Sequence, residues 1–166
     1  CFTFQIYFDF SGYVDMALGC ALLLNISLPK NFNSPYKANN IINFWNRWHI
    51  TLADFLMNYI YYPILKSRPR ISFNFSMLIT IFVFIIAGLW HGPSWMFVTF
   101  GLLHGTGVVF NHYFAKFFDL KIPKFISIFL TFNYVNLTFI FFRSNNFEQA
   151  MTLINSMISF DSFNLN

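Results

Sequence analysis

The sequence predicts an all-α membrane protein, a multi-span helical bundle with one further amphipathic helix lying in the plane of the interface. Three observations predict it. The 166 residues are 57% apolar and only 10% charged, whereas soluble domains carry about a quarter charged residues. Apolar stretches near twenty residues long, the length a helix needs to cross hydrocarbon, recur along the chain. The ten Lys and Arg residues gather between those stretches, which is a topology signal, so the net charge does not point to nucleic acid.

The first span covers roughly 4–28. Gln5, Asp9, Ser11 and Asp15 fall in its first half, so that half must face protein or water. Residues 29–40, rich in Asn, Pro and Lys, form a loop by turn chemistry. From 41 to 65 the pattern changes: Ile41, Trp45, Trp48, Leu52, Leu56 and Tyr59 recur at helical spacing opposite Asn43, Arg47, Asp54 and Asn58. That is the signature of an interfacial helix, anchored by its Trp and Tyr residues and ended by Pro63. Further spans are expected at 71–90, 94–113 and 125–142, the last closed by Arg143. Gly101 and Gly105 in the third span make a small-xxx-small pair that lets a neighbouring helix approach closely. A terminal amphipathic helix over 145–158 follows, with Asn145 and Glu148 placed as a capping box.

Lys30, Lys37 and Arg47, then Lys66, Arg68 and Arg70, then Lys116, Lys121 and Lys124 form three basic groups. All three lie on the cytoplasmic side if 41–65 does not cross, which satisfies the positive-inside rule. His91 then falls toward the extracytoplasmic ends of its two spans. Cys1 and Cys20 have no ligand-type neighbours, so neither a disulfide nor a metal site is expected. The chain starts without Met and enters an apolar run at once. It reads as the later, C-terminal part of a longer chain, with 1–166 forming part of a single membrane domain.

His91 stands in Gly88-Leu-Trp-His-Gly-Pro-Ser-Trp95, where one apolar run ends and the next begins. A titratable group at membrane depth costs a few kcal/mol unless it is hydrated or paired, which makes it a functional lead. Gly88 and Gly92 permit unusual backbone geometry, and Pro93 suits the first turn of a new helix. The free amides of that turn are expected to point back at His91, keep its imidazole neutral and offer donors to a developing oxyanion. His49, beside Trp45 and Trp48, lies at the edge of the apolar stripe and by itself reads as an interfacial anchor. His104 reads as an interhelical hydrogen-bonder and His112 as interfacial. Asp9 and Asp15 share no helical face, and each is free to pair with Arg47 or a helix end.

Four stretches in this order, Tyr7-Phe-Asp-Phe-Ser-Gly-Tyr-Val-Asp-Met-Ala17, Phe44-Trp-Asn-Arg-Trp-His-Ile-Thr-Leu52, Gly88 to Trp95, and Phe141-Phe-Arg-Ser-Asn-Asn-Phe-Glu-Gln-Ala150, resemble the membrane-bound O-acyltransferase (MBOAT) family, nearest to its alginate O-acetyltransferase branch. The resemblance implies an enzyme of the bacterial plasma membrane, crossing it several times. Such an enzyme passes an acyl group, acetyl foremost, from acetyl-CoA or another thioester donor toward hydroxyls of an envelope polysaccharide or to an extracytoplasmic acetyltransferase partner. It implies no bound cofactor. It makes His91 the catalytic histidine and His49 the second histidine, either a substrate positioner or a proton carrier. Residues 61–70 stand where the alginate branch carries a Gly-Gly-Asn-Arg-like turn, which leaves the acceptor open between alginate, peptidoglycan and another envelope glycan. D-alanyl transfer to teichoic acid is the alternative within the class, and a transporter or channel module the alternative outside it. The isolated segment is expected to be inactive without its missing half.

Overall fold

The computed structural model describes residues 2–118, 120 and 122–159, which form helices, turns and loops. Helix α1 spans Phe2–Leu23. It stops short of the expected residue 28 because Asn25 takes the left-handed conformation, φ 59°, and the Leu24 and Ile26 amides turn back to the Ala21 carbonyl. Helices α2 (Ile41–Trp45), α3 (Ile50–Leu56) and α4 (Tyr62–Lys66) follow, then the long helices α5 (Phe73–His91), α6 (Trp95–Phe117) and α7 (Lys124–Arg143), and finally α8 (Phe147–Ile158). By length and composition α1, α5 and α7 are apolar enough to cross a membrane. Helix α6, expected as a further span, is as long but more polar, with His104, Thr106, Asn111 and His112 along it.

Helices α5 and α6 form the most extensive helix pair, and small residues are the reason. A Cβ on Gly101 would lie 2.2 Å from the Phe84 carbonyl oxygen, and one on Gly88 would lie 2.2 Å from that of Phe97. The two backbones touch where side chains would hold them apart. Gly105 meets Ile81 and Phe84 in the same way, as its spacing from Gly101 predicts.

The stretch 41–65 departs from the single amphipathic helix expected there. It is a hairpin of short helices whose tip is His49. On the way in, the Ile41 amide donates to Asn111 Oδ1 of α6, the Trp45 indole reaches His104 one turn-pair further along, and Trp48 packs on Phe139 of α7. Asn111 to His104 is seven residues, about 10 Å of helix at 1.5 Å per residue. On the way out, His49 lies beside Trp90, Leu56 and Leu65 join Ile79, Val83 and Ala87 in one buried cluster, and the Arg68 guanidinium sits 4.1 Å from the centre of the Phe75 ring. The hairpin thus enters and leaves at the same end of the bundle. Pro63 does not end it. The Tyr62 amide reaches back to the Met57 carbonyl, a wide i→i−5 turn, which accommodates the ring of a residue that cannot donate to the preceding turn.

The tip is held by the loop before it. Residues 31–33 run alongside 47–50: the Asn33 amide donates to the Arg47 carbonyl at 2.9 Å and the Ile50 amide to the Asn31 carbonyl at 3.0 Å. Arg47 adds bonds to Asn43 Oδ1 and the Asn33 carbonyl. At the C-terminal end, α8 is capped by Asn146, whose Oδ1 accepts from the Gln149 amide, while Gln149 Oε1 accepts from the Asn145 amide. The box is therefore one residue later than the Asn145/Glu148 pair expected from sequence, because Gln149 is the side chain able to reach back. Ala150 of α8 is buried with Met96 and Ile140.

Replacing Gly101 with Ala is expected to force α5 and α6 apart and cost about 1–3 kcal/mol. Thermal unfolding of the purified membrane protein measures it; an unchanged melting temperature would disprove the close packing.

Candidate active site

His91 is the last residue of α5, and the chain leaves it through Gly92 at φ 155°, ψ 162°. Few side chains tolerate that conformation, and a Cβ there would also press on the Phe97 ring at 2.9 Å. The His91 ring is half-buried among aromatic neighbours: centroids lie 4.9 Å from Trp90, 5.0 Å from Phe142 and 6.2 Å from Phe100. Among the described residues its ring nitrogens make no hydrogen bond. Of the amides expected to face it, those of Met96, Phe97 and Val98 are occupied by Ser94. Ser94 caps α6, accepting from the Met96 amide on its Oγ at 3.2 Å and from the Phe97 amide on its carbonyl at 3.1 Å. Helix α6 starts at Trp95, two residues beyond Pro93, and His91 sits at the carbonyl end of its own helix.

His49 is at the hairpin tip in the left-handed conformation, φ 46°, ψ 51°. This region costs a non-glycine residue roughly 1–3 kcal/mol and tends to mark functional positions. Its ring packs edge-on to Phe10 at 4.8 Å and lies 6.1 Å from Trp90, and its Nδ1 is 3.1 Å from Asn31 Oδ1. Burial, helped by the nearby His91, pushes its pKa from 6.5 down to about 4, so the ring is neutral at neutral pH.

The two histidines line one cavity of about 540 Å³, walled by aromatic residues of the hairpin, α1, α5, α6 and α7. Neither local spacing nor periodicity joins positions 49 and 91; the return of the hairpin along α5 does. Gln5 and Asp9 of α1 also face this cavity. Asp9 is not Arg47's partner, since Arg47 is bound to Asn43 and Asn33. Sequence reasoning missed both residues as site groups. The signal was present: Gln5 and Asp9 are four apart, with Phe2 and Ile6 on the same helical face.

His104 is a different case. It is fully buried; its Nδ1 accepts from the Trp45 indole at 3.2 Å, and its Nε2 lies 2.9 Å from Thr138 Oγ1. An indole N–H only donates, so Nδ1 is the bare nitrogen and Nε2–H donates to Thr138, whose own hydroxyl donates to the Val135 carbonyl. Both ring nitrogens are used in fixing α2 to α6 and α7. Trp45, held in this way, stands between the histidine cavity and a second one of about 210 Å³ lined by Leu56, Tyr61, Thr80, Val83 and His112 among others.

The family model of the membrane-bound O-acyltransferases matches residues 2–150, nearly the whole chain. The chain belongs to the MBOAT family. Over 168 residues it is 45% identical to a peptidoglycan O-acetyltransferase of Helicobacter pylori, with 99% of this chain and 31% of that protein covered. It is 34% identical to the Azotobacter vinelandii protein named "Probable alginate O-acetylase AlgI", with 99% of the chain and 32% of that protein covered. It is 30% identical to a teichoic acid D-alanyltransferase of Streptococcus thermophilus, with 85% and 39% covered. This MBOAT segment therefore spans about a third of the length of the relatives it matches, and with its long apolar helices it belongs to an integral membrane protein.

Two outcomes follow from the site geometry. Because the folded pKa of His49 lies below its unfolded value, only the unfolded state holds that proton between pH 4 and 6.5. Stability should therefore rise with pH across that window. His49→Asn, which tolerates the left-handed backbone, should flatten the slope in pH-dependent melting without loss of folding. His104→Leu should strand the Trp45 indole N–H and lower stability by about 1–3 kcal/mol, measured in the same melts; no loss would refute the role given to His104.

Proposed function

We propose that the chain forms the catalytic part of a membrane O-acyltransferase that moves an acetyl group from a thioester donor, acetyl-CoA, to hydroxyls of a cell-envelope polysaccharide. The observation that carries the reading is the pair of histidines from distant segments in one aromatic cavity. The family assignment and the relatives named for peptidoglycan and alginate O-acetylation support it. Peptidoglycan is the preferred acceptor, because the relative named for it shares 45% of residues against 34% for the alginate relative.

In this mechanism His91, whose ring nitrogens have no partner among the described residues, accepts the proton of the acceptor hydroxyl as that oxygen attacks the thioester carbonyl. The new C–O bond forms, the tetrahedral intermediate collapses, and the C–S bond breaks. The sulfur leaves and takes up the proton held on His91, giving ester and free thiol. With the Met96, Phe97 and Val98 amides committed to Ser94, the first turn of α6 has few donors left for the negative charge on the intermediate. The basic groups at 66–70 and 116–124 support an orientation in which the outer ends of α5 and α7, and with them the cavity, lie toward the extracytoplasmic side of a bacterial plasma membrane; Arg47, expected with those groups, lies instead at the hairpin tip beside His49. There the acyl group meets its acceptor or an extracytoplasmic acetyltransferase partner. The remainder of the longer protein completes the walls, and this segment alone is inactive.

The D-alanyltransferase relative favours one other reading, transfer of D-alanyl to teichoic acid. Donor dependence separates the two. In cells carrying the full-length gene, His91→Ala should reduce envelope O-acetylation by roughly a hundredfold or more, measured by mass spectrometry of isolated glycans, with membrane insertion unchanged. Undiminished acetylation would refute the mechanism, and loss of D-alanyl esters in its place would establish the other reading.

A further inference from the structure

We infer that Asn31 is a positioning residue of the transfer site: its buried side-chain oxygen holds the His49 ring in the tautomer whose other nitrogen, Nε2, carries no proton. The inference rests on the reading of the cavity as the site of acyl transfer, and the geometry of Asn31 supplies the rest.

Asn31 is 8% exposed and does not line the cavity itself. One atom of its side chain meets three groups: the Thr51 amide at 3.2 Å, the Thr51 hydroxyl at 3.0 Å and His49 Nδ1 at 3.1 Å. A backbone N–H can only donate, so the atom facing it is the amide oxygen and not the NH2 group. That oxygen can only accept, so Nδ1 of His49 must carry the hydrogen. A neutral imidazole has one N–H, which leaves Nε2 as a bare acceptor. Since Nδ1 is turned toward Asn31, outside the cavity lining, the Nε2 edge is the one left to the cavity. The Asn31 carbonyl, accepting from the Ile50 amide at 3.0 Å, pins the backbone of the same tip, so one residue fixes both the ring's place and its protonation pattern.

The consequence is a choice between roles for His49. A neutral ring with a bare Nε2 accepts a hydrogen bond from a substrate hydroxyl; it cannot donate to the oxyanion of the tetrahedral intermediate. His49 therefore accepts from a neighbouring hydroxyl of the sugar and so orients the acceptor, while His91 removes the proton of the attacking hydroxyl. Asn31 touches neither substrate nor reacting atoms and acts through His49 alone.

The test uses the full-length protein in lipid nanodiscs with isotope-labelled histidine, the His49 signal being assigned by its loss in His49→Asn. Nitrogen NMR shifts should show His49 protonated at Nδ1 and bare at Nε2; a wild-type ring protonated at Nε2 overturns the inference without any Asn31 variant. Asn31→Leu should lose the fixed tautomer and lower kcat by roughly ten- to a hundredfold, the usual scale for a partner that orients a functional histidine, with the KM for the donor nearly unchanged. Asn31→Asp, which keeps an acceptor oxygen, should restore the tautomer and most of kcat. A kcat for Asn31→Leu equal to wild type, or a fall in kcat with the tautomer intact, refutes the positioning role. Full activity of His91→Ala alongside the expected tautomer would instead refute the transfer mechanism and leave the hold of Asn31 on His49 standing.

Discussion

The pairing of residues 31–33 with the hairpin tip at 47–50 is the constraint on which the site depends. Within a membrane protein, broken backbone is tolerated only where protein groups replace the water that would bond it. Between α2 and α3 the helix ladder is interrupted, and His49 sits in a left-handed conformation. The Arg47 carbonyl and the Ile50 amide, which a continuous helix would satisfy internally, are taken by Asn33 and Asn31. Without these partners the stretch would gain by re-forming a straight amphipathic helix, and position 49 would no longer turn back toward α5. The Asn-rich loop, which by composition alone reads as a connector, is thus a structural part of the site.

The three inward-facing histidines form a series in the use of their ring nitrogens. His104 has both engaged, by Trp45 and Thr138, and is a rivet of the core. His49 has one engaged, by Asn31, and keeps the other. His91 has aromatic neighbours in place of hydrogen-bond partners among the described residues. The residue type is the same in all three; what differs is how much of each ring the surrounding elements leave unbound.

Much of this was legible in the sequence, for physical reasons that differ by element. Helices α5 and α7 announce themselves by long, mostly apolar runs, and His91 by the glycines that flank it. The break before His49 was hidden because Trp45, Trp48 and Leu52 keep helical spacing straight through it. Their side chains all face protein on either arm of the hairpin, and periodicity cannot distinguish that from one face of a rod. Pro63 was read as a stop since proline removes a helix bond, yet a single wide turn absorbs the defect. The order of the four motifs brought His49 forward through its likeness to a family, whereas its local setting argued for an anchor. Its neighbour Asn31 carried no pattern at all, because a contact between residues eighteen apart in sequence depends on how a loop folds back.

The cavity takes its walls from almost every part of the chain: Phe2 and Phe10 at one end of the sequence, Phe139 and Phe142 near the other. Chains emerge from the ribosome N-terminal part first, so α1 and the hairpin meet the bilayer before α7 exists. Until that last long helix arrives, the pocket has an open side, and nothing prevents lipid from filling the space between the two imidazoles. Insertion of α7 is therefore the event that adds the wall carrying Phe139 and Phe142, so the cavity is completed within this segment only late in biogenesis.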